Sequence, residues 1–263
     1  MKRIRLPRTT LALCSLAAAL LLPSASRAAG KDLNCTIAII PGLSEPPGKG
    51  AFVDLAKAMA EVYTDGKINI ELNPWGRSID NVVKGKADFH IPNMRVPGVD
   101  ESKIPFRFAK KQFGELVQVI YSNEQKVITK KMLDDAAAKW KADGKPFPYV
   151  IEVTGGDQYP FPTVPTNDYS ASFKKLALGR IDAILGAQED CDKPLREMRL
   201  KDIHRAEWNH FQDVLVVPKG PHGDEVDRIV SDLLTKLEKS GKLQKIYSQL
   251  HGPYNDWQPA TAF

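Results

Sequence analysis

The chain has 263 residues, 37 basic and 32 acidic, for a formal net charge of +5 at pH 7. Five of the basic residues (Lys2, Arg3, Arg5, Arg8, Arg27) and none of the acidic ones fall in the first thirty, so the rest carries 32 of each sign and is formally neutral. A neutral chain gives no electrostatic reason to expect nucleic acid or an anionic membrane as partner, and its length suits one large domain or two lobes.

Residues 1–29 read as a secretory signal peptide. They have a basic start, an apolar run over 11–22 ended by Pro23, and small residues in Ser26-Arg27-Ala28. The run falls short of the roughly 20 residues a membrane-spanning helix needs. The expected location is therefore the periplasm. An oxidising compartment would permit a disulfide between Cys35 and Cys191, but the pair is 156 residues apart and nothing else ties them, so two separate thiols are the favoured reading.

After the signal, strand and helix patterns alternate. A β-branched run over 36–40 is followed by Phe52, Leu55, Met59 and Val62 at helical spacing. Ile68, Ile70 and Leu72 alternate as a strand does; Ile79, Val82 and Val83 form a short helical face; 87–91 reads as a strand. This β-α-β-α-β order predicts a mostly parallel sheet with helices on its faces. The pattern restarts with a strand over 116–121, a helix over 133–140, a strand over 149–153, a helix over 170–178 and a strand over 181–185. A strand over 211–217 is closed by Pro218 and Gly220. Val226, Val230, Leu233 and Leu237 then lie on one helical face, and a last helix covers 242–250. Gly85-Lys86-Ala87-Asp88 is echoed by Gly179-Arg180-Ile181-Asp182, each predicted to end a helix and open a buried strand.

Four segments carry a resemblance: 51–58, 77–89, 176–185 and 241–252, the last with Lys245-Ile246-Tyr247. Their order and spacing resemble the family 3 periplasmic solute-binding proteins of ABC transporters. The resemblance implies an α/β, two-lobed type II periplasmic-binding fold, each lobe a mixed, mostly parallel sheet flanked by helices. The first lobe would comprise 30–117 and 215–263, the second 118–214, with two strands crossing the hinge. A small molecule would bind between the lobes at the carboxyl ends of the strands, and the chain, a monomer, would deliver it to an inner-membrane ABC permease. The family's amino-acid binders carry an arginine about twelve residues after the third-strand aspartate, where Asp100 stands here. They also carry an aspartate after the second-lobe strand, where Ala187 stands, followed by Gln188, Glu189 and Asp190. The expected ligand is therefore not an ordinary α-amino acid.

The candidate ligand contacts follow from the loops at the strand ends, and each has a plainer reading. Leu43, Ser44 and Glu45 follow the first strand and form either a cleft wall or a turn. Trp75 offers a flat apolar face and Arg77 a fork of donors; the alternative is a buried indole and a solvated guanidinium. Asn93 and Arg95 follow the third strand, with a surface salt bridge as the alternative for Arg95. Gly156 and Asp157, in Thr154-Gly155-Gly156-Asp157-Gln158, are expected to open a helix whose amides suit an anion, or to form an ordinary turn. Gln188 and Glu189 end the second-lobe strand and contact either ligand or solvent. No catalytic residue, metal site or cofactor is expected, since the five histidines have no metal-ligand spacing. Two other functions on the same fold stay open: an accessory or sensory protein acting through a protein partner, and a dehydratase-like enzyme using Glu45, Asp157 or Glu189 as acid or base.

Overall fold

The computed structural model describes residues 31–155 and 157–263; the expected signal peptide and Gly156 lie outside them. The first unit is β1 (Leu33–Ala38), α1 (Ala51–Val62), β2 (Ile68–Asn73), α2 (Trp75–Val83) and β3 (Phe89–Arg95), followed by the short β4 (Arg107–Phe108). Next come β5 (Gly114–Asn123), α3 (Lys130–Asp143), β6 (Ile151–Thr154), β7 (Val164–Thr166), α4 (Tyr169–Ala177), β8 (Ala183–Ala187) and α5 (Gln188–Met198). The chain returns through β9 (Ile203–Val217) and ends with α6 (Pro221–Lys239), α7 (Lys242–Leu250) and α8 (Pro259–Ala262).

The strands join in the order β2-β1-β3-β9-β5-β8-β6-β7, with β4 also on β9. At one end β1 pairs in parallel with β2 and β3; at the other, β6 pairs in parallel with β7 and β8. Between them β5 and β9 run antiparallel to each other along the whole of β5, from Gly114 opposite Asp213 to Asn123 opposite Ile203. Each end of the sheet is packed on both faces. In the first lobe α1, α6 and α7 bury Phe52, Met59, Leu234 and Ile246 on one side, and α2 buries Ile79 and Val82 with Phe106 and Phe108 on the other. In the second lobe α3 covers one side with Leu133 beside Trp208 and Phe161, while α4 and α5 cover the other with Phe173, Leu176 and Leu195.

The echoed Gly-x-x-Asp segments do the same work in each lobe. Gly85 and Gly179 adopt φ of 68° and 65°, the left-handed turn that ends α2 and α4 and that side-chain-bearing residues disfavour. Each aspartate then locks the edge of the neighbouring strand. Asp88 donates its N–H to the Asn34 carbonyl (2.8 Å) and accepts the Asn34 N–H on Oδ2 (2.7 Å); Asp182 does likewise with Val150 (2.9 and 2.8 Å).

Three stretches depart from the sequence reading. β9 begins at Ile203, eight residues before the predicted 211, because Arg205 is buried in its first half. The helix expected to open here does not begin at Asp157: residues 157–163 are irregular, and the next helix begins at Tyr169. Pro160, Pro162 and Pro165 explain this, since each lacks the N–H a helix interior requires. The expected first lobe ran to residue 263, yet beyond α7 the chain crosses over, and Tyr254 and Trp257 pack against the second-lobe core. This C-terminal strap is held by Arg205, whose Nη1 donates to the carbonyls of Asn255 (3.1 Å) and Trp257 (2.6 Å). The same guanidinium forms a bidentate pair with Asp192, Nε to Oδ1 at 2.8 Å and Nη2 to Oδ2 at 2.7 Å.

Both Cys35 and Cys191 are free, buried thiols, in the first-lobe and second-lobe cores respectively. Among the described residues no helix is long and apolar enough to cross a membrane.

Candidate functional site

The carboxyl ends of the parallel strands meet across a cleft, as expected where two open α/β sheets face each other. It holds a cavity of about 280 Å3 that narrows into an inner recess of about 30 Å3. The first lobe supplies Ile40 and Leu43 from the loop after β1, Phe52 from α1, Trp75 from the first turn of α2, and Asn93 and Met94 from β3. The second lobe supplies Thr154, Asp157, Asn167, Tyr169 and Asp190. Leu116, Gln118, Asp213 and His251 close the floor along the crossing strands.

Local chemistry fixes these side chains. Asn93 is 1% exposed; its Oδ1 accepts the Met94 N–H (2.8 Å), which leaves Nδ2 pointing away without a partner. Trp75 packs edge-on to His90 (5.8 Å between ring centres), and its indole N–H is likewise buried and unpaired. His90 is held by the Ser78 hydroxyl (2.7 Å), and burial lowers its pKa to about 3, so it is neutral. Tyr169 starts α4, capped by Asp168, which accepts the Ala171 N–H (3.1 Å). Its phenol hydroxyl is 2.7 Å from Thr154 Oγ1 and donates to the Leu185 carbonyl (3.3 Å). Gly186 permits this approach: a Cβ there would stand 2.8 Å from the Tyr169 hydroxyl and 2.3 Å from Cys191 Sγ.

Three ionisable groups dominate the electrostatics. Burial pushes the Asp157 carboxyl well above its ordinary value, and the neighbouring charges of Asp190 and Asp213 add to this. Asp190, in the first turn of α5, is raised to about 7, again mainly by burial and then by Glu189, with His251 opposing. Oδ1 of each has no hydrogen-bond partner among the described residues. On the floor His251 sits between Asp213 (Nε2 to Oδ2, 2.7 Å) and Glu189 (Nδ1 to Oε2, 3.2 Å). Burial works against its charge, but the hydrogen bonds and charges of both carboxylates outweigh it and lift its pKa to about 10.

Of the residues singled out in the sequence, Leu43, Trp75, Asn93 and Asp157 line the cleft. Gly156 lies outside the described residues. Ser44 is buried beneath the first loop, accepting the Ile40 N–H (3.2 Å) and donating to the Ala38 carbonyl. Glu45 is exposed and accepts the Gly42 N–H (2.6 Å), shaping the turn. Arg77 is exposed on α2. Arg95 is engaged elsewhere: its guanidinium reaches Glu101 (3.1 Å), Gln212 (3.2 Å) and the Ala109 carbonyl (3.1 Å), and lies over Phe108. Gln188 and Glu189 clamp the strap rather than face the cavity: Gln188 donates to the carbonyls of Gly252 (3.0 Å) and Pro253 (3.2 Å), and Glu189 accepts the Gly252 N–H (3.1 Å).

The sequence reading passed over Asp190, Tyr169, Gln118, Asp213 and His251. Asp190 had a signal, since it lies three positions beyond the place where an aspartate was sought. His251 had none, because its two carboxylates come from distant parts of the chain.

No family model matches the sequence, and no curated protein matches it. Solved structures do. An ancestral arginine-binding protein bound to arginine superposes with a TM-score of 0.60 at 19% identity, covering 84% of this chain and 98% of that one. A histidine kinase sensor domain with similarity to periplasmic binding proteins gives 0.62 at 17%, covering 84% and 96%. The substrate-binding protein of an amino acid ABC transporter gives 0.56 at 21%, covering 83% and 98%. At such identities the likeness is one of fold: the chain has the type II periplasmic-binding-protein fold of the amino-acid ABC transporter substrate-binding proteins.

Proposed function

We propose that the protein is a periplasmic solute-binding protein that captures a small molecule between its lobes and delivers it to an inner-membrane ABC transporter. The observation that carries this reading is a set of buried polar atoms without partners, contributed by both lobes to one cavity: Trp75 Nε1 and Asn93 Nδ2 from the first, Asp157 Oδ1 and Asp190 Oδ1 from the second. Native proteins rarely leave such groups unpaired. A solute bound there would satisfy donors on one wall and acceptors on the other, and would hold the lobes together in a shape a permease can recognise.

The reading is of capture. His251, the imidazole at the floor, is held between Asp213 and Glu189, whose charges and hydrogen bonds favour its protonated form and oppose its use as a general base.

The test is a thermal-shift screen of the purified protein against amines, organic acids, amino acids, sugars and apolar metabolites, followed by small-angle scattering with any hit. A ligand at 100 times its dissociation constant should stabilise the fold by about 2.7 kcal/mol, and the scattering should report a more compact particle. A broad library without a single stabilising compound would remove the proposal.

A further inference from the structure

We infer that the cleft selects a small organic cation carrying a neutral hydrogen-bond acceptor and no carboxylate: an amino alcohol or amino amide rather than an amino acid. The inference rests on the solute-binding reading above and assigns the class of solute.

The second-lobe wall calls for a cation. Asp157 and Asp190 both line the inner recess, and each has a buried, unpartnered Oδ1. No lysine or arginine is among the described lining residues. The positive charge of His251 is consumed by Asp213 and Glu189. An ammonium group has three donors to share between the two aspartates and the hydroxyls of Tyr169 and Thr154. Trp75 and Tyr169, which line the outer cavity with Asp190, add aromatic surface of the kind that attracts cations.

The first-lobe wall calls for an acceptor. Asn93 Nδ2, on a side chain buried to 1% exposure, and Trp75 Nε1 are both donors without a partner. Both are neutral. A carboxylate bound to them would lack the bidentate ion pair a guanidinium gives, and its charge would oppose ionisation of the two aspartates across a narrow recess. A hydroxyl or amide oxygen accepts from the same two groups without that repulsion. The outer cavity has the room that the inner recess lacks, and there Ile39, Ile40, Pro41 and Pro74 offer an apolar surround for the body of the molecule. Burial raises both carboxyls, and a bound ammonium would favour their ionised form.

The experiment uses matched triads: leucinol, leucinamide and leucine, with the corresponding alaninol and phenylalaninol sets. Thermal shift and calorimetric titration are run at about pH 7.5, where the stronger of the two aspartate acids is largely ionised. In at least one triad the alcohol or amide should bind about tenfold or more tightly than the amino acid. Asp190→Asn and Asp157→Asn, checked for native circular dichroism, should each weaken the favoured member by about tenfold and narrow its lead over the amino acid. An amino acid that binds as tightly as its alcohol and amide overturns the inference, and so do aspartate variants that leave the discrimination intact. Stabilisation by a sugar or dicarboxylate instead of any amine overturns it while the solute-binding reading stands. If neither the triads nor the broad library bind, both fall.

Discussion

His251 Nε2 lies 2.7 Å from Asp213 Oδ2 and ties the residue after the last first-lobe helix to a strand that crosses between the lobes. Glu189 meets the other ring nitrogen from the second lobe, so one imidazolium joins three parts of the chain. Removing one member of a buried ion pair leaves the others unneutralised, and His251→Gln should cost on the order of 3 kcal/mol in urea unfolding at neutral pH. The sign of the pH dependence follows from the folded pKa of about 10, above the ordinary value of 6.5. The stabilisation is fully present below about 6.5 and is lost as the pH rises through 10. The wild type should therefore lose stability between pH 8 and 10 more steeply than His251→Gln does; parallel curves would refute the assignment.

Asp190 titrates in the same sense as His251, but its substitution should act in the opposite direction. Its carboxyl is raised from 3.8 to about 7 by burial, so the folded protein holds the proton more tightly than the unfolded chain. Its favourable contribution is present at low pH and disappears as the pH rises through 7. Asp190→Asn should make the ligand-free protein more stable at pH 8, by on the order of 1 kcal/mol, and should give no gain at pH 4. Glu189, His251, Asp213, Asp157, Cys191 and Tyr169 surround the group, and the substitution leaves all of them in place.

One buried guanidinium gathers several of the bonds that hold the strap. Arg205→Met removes the bidentate partner of Asp192 and the donor to the Asn255 and Trp257 carbonyls. The expected loss is about 3–5 kcal/mol, with hydrogen exchange of the amides over 252–263 accelerated well beyond that of β9. Uniform acceleration across the whole chain would mean that Arg205 supports the second lobe generally rather than the strap.

Asp88→Ala and Asp182→Ala should behave as a matched pair. Each removes a charge-assisted hydrogen bond to the first residues of a neighbouring strand, worth about 1–2 kcal/mol. Each has one further partner, His222 Nε2 at 2.8 Å for Asp88 and the Lys126 ammonium for Asp182, so the two losses should be similar by chemical denaturation.

The parallel units of both lobes were legible because apolar residues recur there at strand and helix periods and the Gly-x-x-Asp segments punctuate them. Where charge is buried, that language fails. The first half of β9 alternates polar residues, and only the far-off Asp192 and strap carbonyls make Arg205 a core residue. Likewise Gln188 and Glu189 were expected to end the second-lobe strand, yet they open α5, where the acidic residues suit the positive end of the helix. The cleft was partly legible, since Leu43, Trp75, Asn93 and Asp157 follow from strand ends alone. Arg77 and Arg95 were drawn in by their chemistry, and the fold gives one to solvent and the other to Glu101 and Gln212.

The strap changes the mechanics of the joint. Two paired strands form a flexible leaf that can bend and twist about several axes. The strap adds a third connection: it leaves α7 and is fastened at its far end to Arg205, near the start of β9. A swing of the lobes about β5 and β9 would be limited by the few residues between His251 and Tyr254, and a cut after α7 is expected to widen that swing rather than merely shorten the chain.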